Sequence, residues 1–352
     1  MSPSPPPPVS CSLTVVQTVK VARVTGATPP GEDLPNPNQT ALRDQLLGTD
    51  LGILWATGDH KVMIAFGDTY GRGWGGAGAG PGAADWRSNT LALSADEDPS
   101  KGLVFTTMIH DKPGHAGEFV PSRKDDVELT VIPTAGVAVG TRHYVYYMSV
   151  HHWGAPGLWQ TNLAGLTYSD DGGWTWTRPA QPVWQNTPQW TDPFQQVAAA
   201  KSEGYVYLFG TSNGRRGDIS LARVYGPRLL DKAAYQYWDG HGWQVGKEAA
   251  ARPLIKGPAG ELSVAYNSFF HRWLLVTLDA DLNALVLRDA PALTGPWSRP
   301  TILAKGADYP ALYGGFIDPL HNSGRDLYFT LSQWWSYNVF WMRSTLKPGV
   351  PG

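Results

Sequence analysis

Short, almost unbroken apolar runs separated by polar turns recur along this chain. Residues 51–57 and 61–69 flank Gly58-Asp59-His60, and both arms are apolar at nearly every position. That is the pattern of strands covered on both faces. The same unit returns at 136–139 with 143–150, 195–200 with 205–211, 261–267 with 273–278, and 314–317 with 326–332. Each pair predicts a β-hairpin. A second hairpin follows the first, often ending near a tryptophan, as in Asp239-Gly240-His241-Gly242-Trp243 and Leu293-Thr294-Gly295-Pro296-Trp297. Hairpin pairs repeating every ~50–70 residues are the pattern of a propeller built from four-stranded blades.

Five first hairpins predict five blades. The last, from about 313 to 346, has room for only three strands, and the β-branched segment 13–24 supplies the fourth. The expected fold is therefore all-β: a five-bladed β-propeller closed by an N-terminal strand, with residues 13–352 as one domain. Residues 1–12, MSPSPPPPVSCS, predict a proline-rich linker or disordered N-terminus. Ser169-Asp170-Asp171-Gly172-Gly173-Trp174-Thr175-Trp176 fits the Asp-box pattern, a folding turn between outer propeller strands that says little about chemistry. Gly71–Gly82 predicts a flexible loop and lacks the Lys-Ser/Thr of a phosphate loop.

Composition sharpens this picture. Forty glycines and 29 prolines in 352 residues suit a turn-rich fold. The formal net charge of −2 argues against a nucleic-acid partner, and no apolar run is long enough for a helical membrane span. A single cysteine, Cys11, excludes an intrachain disulfide framework and a cysteine-rich zinc site. No secretory h-region is visible, as in a mature secreted protein or a phage-encoded one, so an extracellular or cell-envelope location is expected. Sixteen tryptophans exceed the needs of the core, and Trp153, Trp190 and Trp334 are candidate platforms for stacking on sugar rings.

The first hairpin carries the main candidate chemistry. Pairing centred on Asp59 sets Asp50 opposite Asp68 at its open end. Like charges facing each other across a strand pair are unfavourable, and the expected benefit is a split in pKa, one acid protonated and one ionised. The bland alternative makes Asp68 a turn cap and Asp50 a solvated loop residue. Asp192 and Glu261 stand near the starts of later inner strands, and Arg87 and Asn89 open another strand. All four are candidate substrate-binding residues, although Asp192 or Glu261 alone is more often a solvated surface acid and Arg87 as often an ordinary strand-end side chain. His151 and His152 are adjacent, so on a strand they point to opposite faces, and no metal site is expected. No cofactor is expected. No nucleophile elbow, dinucleotide fingerprint or His-Glu-x-x-His is present.

Asp50-Leu51-Gly52, Gly67-Asp68-Thr69 and Arg87-Ser88-Asn89, in this strand context, resemble a bacterial and phage family of endo-D-arabinanases, glycoside hydrolase family 183, formerly a domain of unknown function. The resemblance spans about residues 21–346 and is anchored in the first hundred. It implies a five-bladed propeller that cleaves internal D-arabinofuranosyl linkages of mycobacterial arabinogalactan and lipoarabinomannan, with Asp50 and Asp68 as the catalytic carboxylates. The expected partner is accordingly a polysaccharide, D-arabinan. The rival functions are a sialidase-like or other furanosidase propeller hydrolase, and a non-catalytic glycan-binding propeller such as a phage adhesin or lectin.

Overall fold

The structure, a computed structural model, describes residues 12–95 and 98–349. The proline-rich segment assigned to 1–12 lies outside the described residues except for Ser12. Five antiparallel sheets form five blades. Blade I comprises Leu51–Ala56, Lys61–Phe66, Thr90–Ala95 and Phe105–Met108; blade II comprises Thr130–Val139, Arg142–Trp153, Trp159–Ser169 and Val183–Gln185. Blade IV is Leu262–Asn267, Arg272–Asp279, Ala284–Ala290 and Thr301–Lys305. Blade III departs from the four-strand pattern. Its third strand, Gly217–Tyr225, pairs at one end with Gln236–Trp238 and at the other with Pro253–Ala259.

Blade V is built from Leu312–Ile317, Asp326–Gln333, Asn338–Pro348 and, as its outer strand, Leu13–Arg23. The N-terminal strand pairs antiparallel with Asn338–Pro348 from Leu13↔Pro348 to Arg23↔Phe340. The ring therefore closes as expected, and the last sheet is left without the short edge that a three-stranded blade would have.

The innermost strands touch in sequence, blade I to II, II to III, III to IV, IV to V, and V back to I. Stacked blades explain the unbroken apolar runs, because each sheet buries both faces against its neighbours. Trp55 of blade I shows how tight this is: a Cβ on Gly136 of blade II would lie 2.1 Å from its indole. In the Asp-box turn, Ser169 Oγ donates to Asp171 Oδ1 and Trp176 Nε1 to the Gly173 carbonyl. None of its residues lines the central cavity.

Candidate active site

At one end of the inner strands the ring opens into a cavity of about 830 Å³, lined by all five blades. Its position follows from the geometry of the fold, since five twisted sheets cannot bring their first strands into contact over their full length.

The first hairpin pairs as predicted from Ile53↔Ala65 to Ala56↔Val62. A bulge then intervenes at Leu51-Gly52, where φ is 69° and 83°. Asp50 consequently stands opposite Gly67, with the Gly67 amide donating to the Asp50 carbonyl at 3.2 Å, and not opposite Asp68 as a regular ladder requires. Bulges commonly re-aim a side chain beside a functional site. A leucine with positive φ is strained, and here blade V holds it in place. Ser332 Oγ accepts from the Leu51 amide at 2.9 Å, and Thr330 Oγ1 donates to the Gly52 carbonyl at 2.9 Å.

Both carboxylates nevertheless reach the cavity. Asp50 accepts from the Tyr313 hydroxyl at 3.0 Å through Oδ2. It lies deep among protein atoms, and desolvation, followed by the nearby Asp68 charge, raises its pKa to about 8. Asp68 is buried, and desolvation raises it to about 6, against the pull of two donors. Trp86 Nε1 and Thr130 Oγ1 both bond its Oδ1, at 2.8 and 2.7 Å. Both shifts run upward and that of Asp50 is the larger, so Asp50 is the acid of the pair that keeps its proton to higher pH.

Glu261 and Arg215 form a third element of the wall, with Arg215 Nη2 donating to Glu261 Oε1 at 2.7 Å. The guanidinium also lies 4.9 Å from the Tyr313 ring centroid, so blades III, IV, V and I are tied together around Asp50. Trp153 and Trp334 flank the cavity and are partly exposed, as platforms must be. Trp153 meets Trp159 edge-on, and Trp334 meets Tyr337 edge-on.

Four sequence candidates lie outside the cavity lining, each for a local reason. Arg87 is buried away from the cavity, bonding the Asp85 and Gln45 carbonyls and pairing with the Asp85 carboxylate at 2.8 Å. Asn89 is a buried brace, bonded to the Val120 and Val131 carbonyls and the Phe119 and Val120 amides. Trp190 stacks on His151. Asp192 accepts from the Phe194 amide and from Gln195 Nε2, and burial with nearby Glu248 raises its pKa to about 7.

Sequence reading missed Tyr70, Trp86, Arg215, Tyr313 and Tyr337, which lack any motif. Only the position of Trp86 beside Arg87 offered a signal. The glycine-rich loop is anchored rather than loose: Trp74 Nε1 donates to the Gly78 carbonyl, and the Gly78 amide to that of Trp334. Its Ala79, Gly80 and Gly82 join the wall. Among the described residues no group of three or more His, Cys, Asp or Glu side chains is arranged to hold a metal ion, and no helix is long and apolar enough to cross a membrane.

A closed ring of five blades around a cavity bearing two carboxyl groups, Asp68 buried and Asp50 half-buried, defines a β-propeller with an acid-pair site. The chain belongs to the family described as domain of unknown function DUF4185, which it matches over residues 35–343. It is 31% identical over 321 residues to Notoamide biosynthesis cluster protein J' of Aspergillus versicolor, covering 87% of this chain and 85% of that one. Two solved structures share the fold. A Bacteroides ovatus protein provisionally described as a hydrolase is 10% identical, covers 86% of each chain and has a TM-score of 0.59. A family 117 glycoside hydrolase of Zobellia galactanivorans is 12% identical over 96% of this chain and 95% of that one, with a TM-score of 0.52.

Proposed function

We propose that this protein is a glycoside hydrolase that cleaves internal D-arabinofuranosyl linkages, acting outside the cell or at the cell envelope on D-arabinan. One observation carries the hydrolase reading: two carboxyl groups on one hairpin, Asp50 and Asp68, face the same cavity, Asp50 bonded by Tyr313 and Asp68 by Trp86 and Thr130. Glycosidic cleavage needs such a pair about an oxocarbenium-like transition state. The arabinan assignment rests on the motifs around Asp50, Asp68 and Arg87.

Asp50, protonated at neutral pH, is the general acid. It delivers its proton to the glycosidic oxygen as the bond from that oxygen to the anomeric carbon breaks. Asp68, ionised, supplies the negative charge that meets the developing cation. Among the described residues its Oδ2 makes no hydrogen bond, and its Oδ1 is held by Trp86 and Thr130. Water provides the hydroxyl for the anomeric carbon and the proton that restores Asp50. Trp153 and Trp334 stack on sugar rings at the mouth.

The test is incubation with D-arabinan, followed by reducing-end assay and chromatography. Short oligosaccharides with little free arabinose are expected. Free arabinose alone makes the enzyme exo-acting, cleavage of sialylated glycans makes it sialidase-like, and binding without cleavage makes it a lectin.

A further inference from the structure

Two side chains of the cavity wall carry a buried polar atom with no hydrogen bond among the described residues: Glu261 at Oε2 and Trp159 at Nε1. The two residues are only 9% and 7% exposed. Buried donors and acceptors in folded proteins are nearly always paired, because an unpaired one forfeits its bonds to water. The carboxylate oxygen can only accept and the indole nitrogen can only donate. A hydroxyl group satisfies either.

Arg215 joins the two. Its Nε and Nη2 both donate to Glu261 Oε1, at 3.1 and 2.7 Å, and its guanidinium lies 5.7 Å from the Trp159 ring centroid. Because both bonds end on Oε1, the carboxylate is anchored while Oε2 can turn toward an arriving hydroxyl. A free acceptor and a free donor around one guanidinium suit a sugar, whose neighbouring hydroxyls give and take hydrogen bonds together.

The acid pair indicates which sugar reaches this group. Asp68 is held by Trp86 and by Thr130, where blade II begins. Asp50 is held by Tyr313 of blade V, whose ring centroid lies 4.9 Å from the Arg215 guanidinium. Asp50 is thus the acid tied to the Arg215 group. Asp68 meets the anomeric carbon and Asp50 the leaving-group oxygen, so the sugar released with that oxygen extends toward Arg215, Glu261 and Trp159.

We propose that Glu261 Oε2 and Trp159 Nε1 bind hydroxyls of the leaving-group sugar, with Arg215 positioning Glu261. The proposal rests on the hydrolase reading of Asp50 and Asp68 and extends it to the sugar beyond the cleaved bond. Such a subsite favours a sugar over a leaving group without hydroxyls, which would leave both atoms unpaired.

The experiment compares a D-arabino-oligosaccharide cut between sugars with one ending in 4-nitrophenol, read by nitrophenolate release. Only the first reaction has a leaving-group sugar. Glu261→Gln keeps the acceptor for Arg215 and removes the free one. It should lower the ratio of kcat/KM on the first substrate to that on the second by about tenfold or more, the weight of a hydrogen bond to a charged group. Trp159→Phe should lower it roughly threefold, and serves if the first variant does not fold. A merely structural loss would move both substrates together.

Equal loss on both substrates, or no loss, would overturn the subsite and leave the hydrolase reading standing. If no bond is cut, but calorimetry shows the oligosaccharide bound more weakly by both variants than by wild type, the hydrolase reading falls and the hydroxyl site stands. If the oligosaccharide is neither bound nor cleaved, both fall.

Discussion

The carboxylate of Asp50 fills the space in which Gly67 would carry a side chain, since a Cβ at Gly67 would lie 2.3 Å from Asp50 Oδ1. Glycine here is a demand of the neighbouring acid, because the bulge at Leu51-Gly52 has turned Asp50 to face it. Gly67→Ala should displace the acid without unfolding the blade. A loss of ~10²-fold in kcat is expected, the scale of a 1 Å misplacement in an active site, with only a small change in melting temperature. Wild-type activity in this variant would remove Asp50 from the mechanism.

Replacing either acid by its amide tests the pair directly. Asp50→Asn and Asp68→Asn should each lower turnover by at least ~10²–10⁴-fold, the usual weight of a general acid or base. Melting should hold or rise, because one of two neighbouring carboxyl groups no longer has to be kept from ionising. If Asp68 merely capped a turn, stability would fall and activity per folded molecule would survive.

The shifted acidities predict a bell-shaped profile. Activity needs Asp68 ionised, above about 6, and Asp50 protonated, below about 8, so kcat/KM should peak near pH 7. Stability carries the opposite sign from that of an ordinary paired carboxylate. The folded protein holds the Asp50 proton that the unfolded chain releases near pH 4. The stabilising contribution is complete below that value and is lost as pH rises to about 8. Asp50→Asn should therefore gain in melting temperature relative to wild type between pH 5 and 9, and a constant difference would contradict the buried, protonated state.

Arg215 and Glu261 test the wall. Arg215→Met leaves Glu261 charged and largely covered, and denaturant titration should show a loss approaching the ~3–5 kcal/mol of a broken buried pair. Partial exposure of the guanidinium, 22% against 10% for Glu261, trims that figure. Arg215→Met combined with Glu261→Met should recover most of the loss, because no charge is then stranded.

The blade count was legible because hairpin spacing and two-sided burial leave a strong periodic trace in the sequence. The missing fourth strand of blade V was legible by subtraction. The register at Asp50 was not. A bulge adds one residue without altering the apolar pattern, and its causes, Ser332 and Thr330, lie in another blade. Asn89 and Asp192 show the converse limit. Polar residues near strand starts look alike in sequence whether they face the axis or satisfy buried backbone, and only the surrounding carbonyls and amides decide. Tyr313 and Arg215 were invisible for the same reason, since their roles come from neighbours in other blades.

The outer strand of blade V has a consequence for biosynthesis. Thr14 and Lys347 are neighbours in the sheet but stand 333 residues apart in the chain. At ~5–20 residues per second, the ribosome makes the first strand roughly 15–70 s before its partner emerges. Throughout that interval Leu13–Arg23, with its run of valines, has no sheet to join, while blades I to IV can form behind it. The capture of Leu13–Arg23 therefore has to wait until Asn338–Pro348 has been made. Chaperones that hold extended apolar segments would act on the nascent chain at that strand.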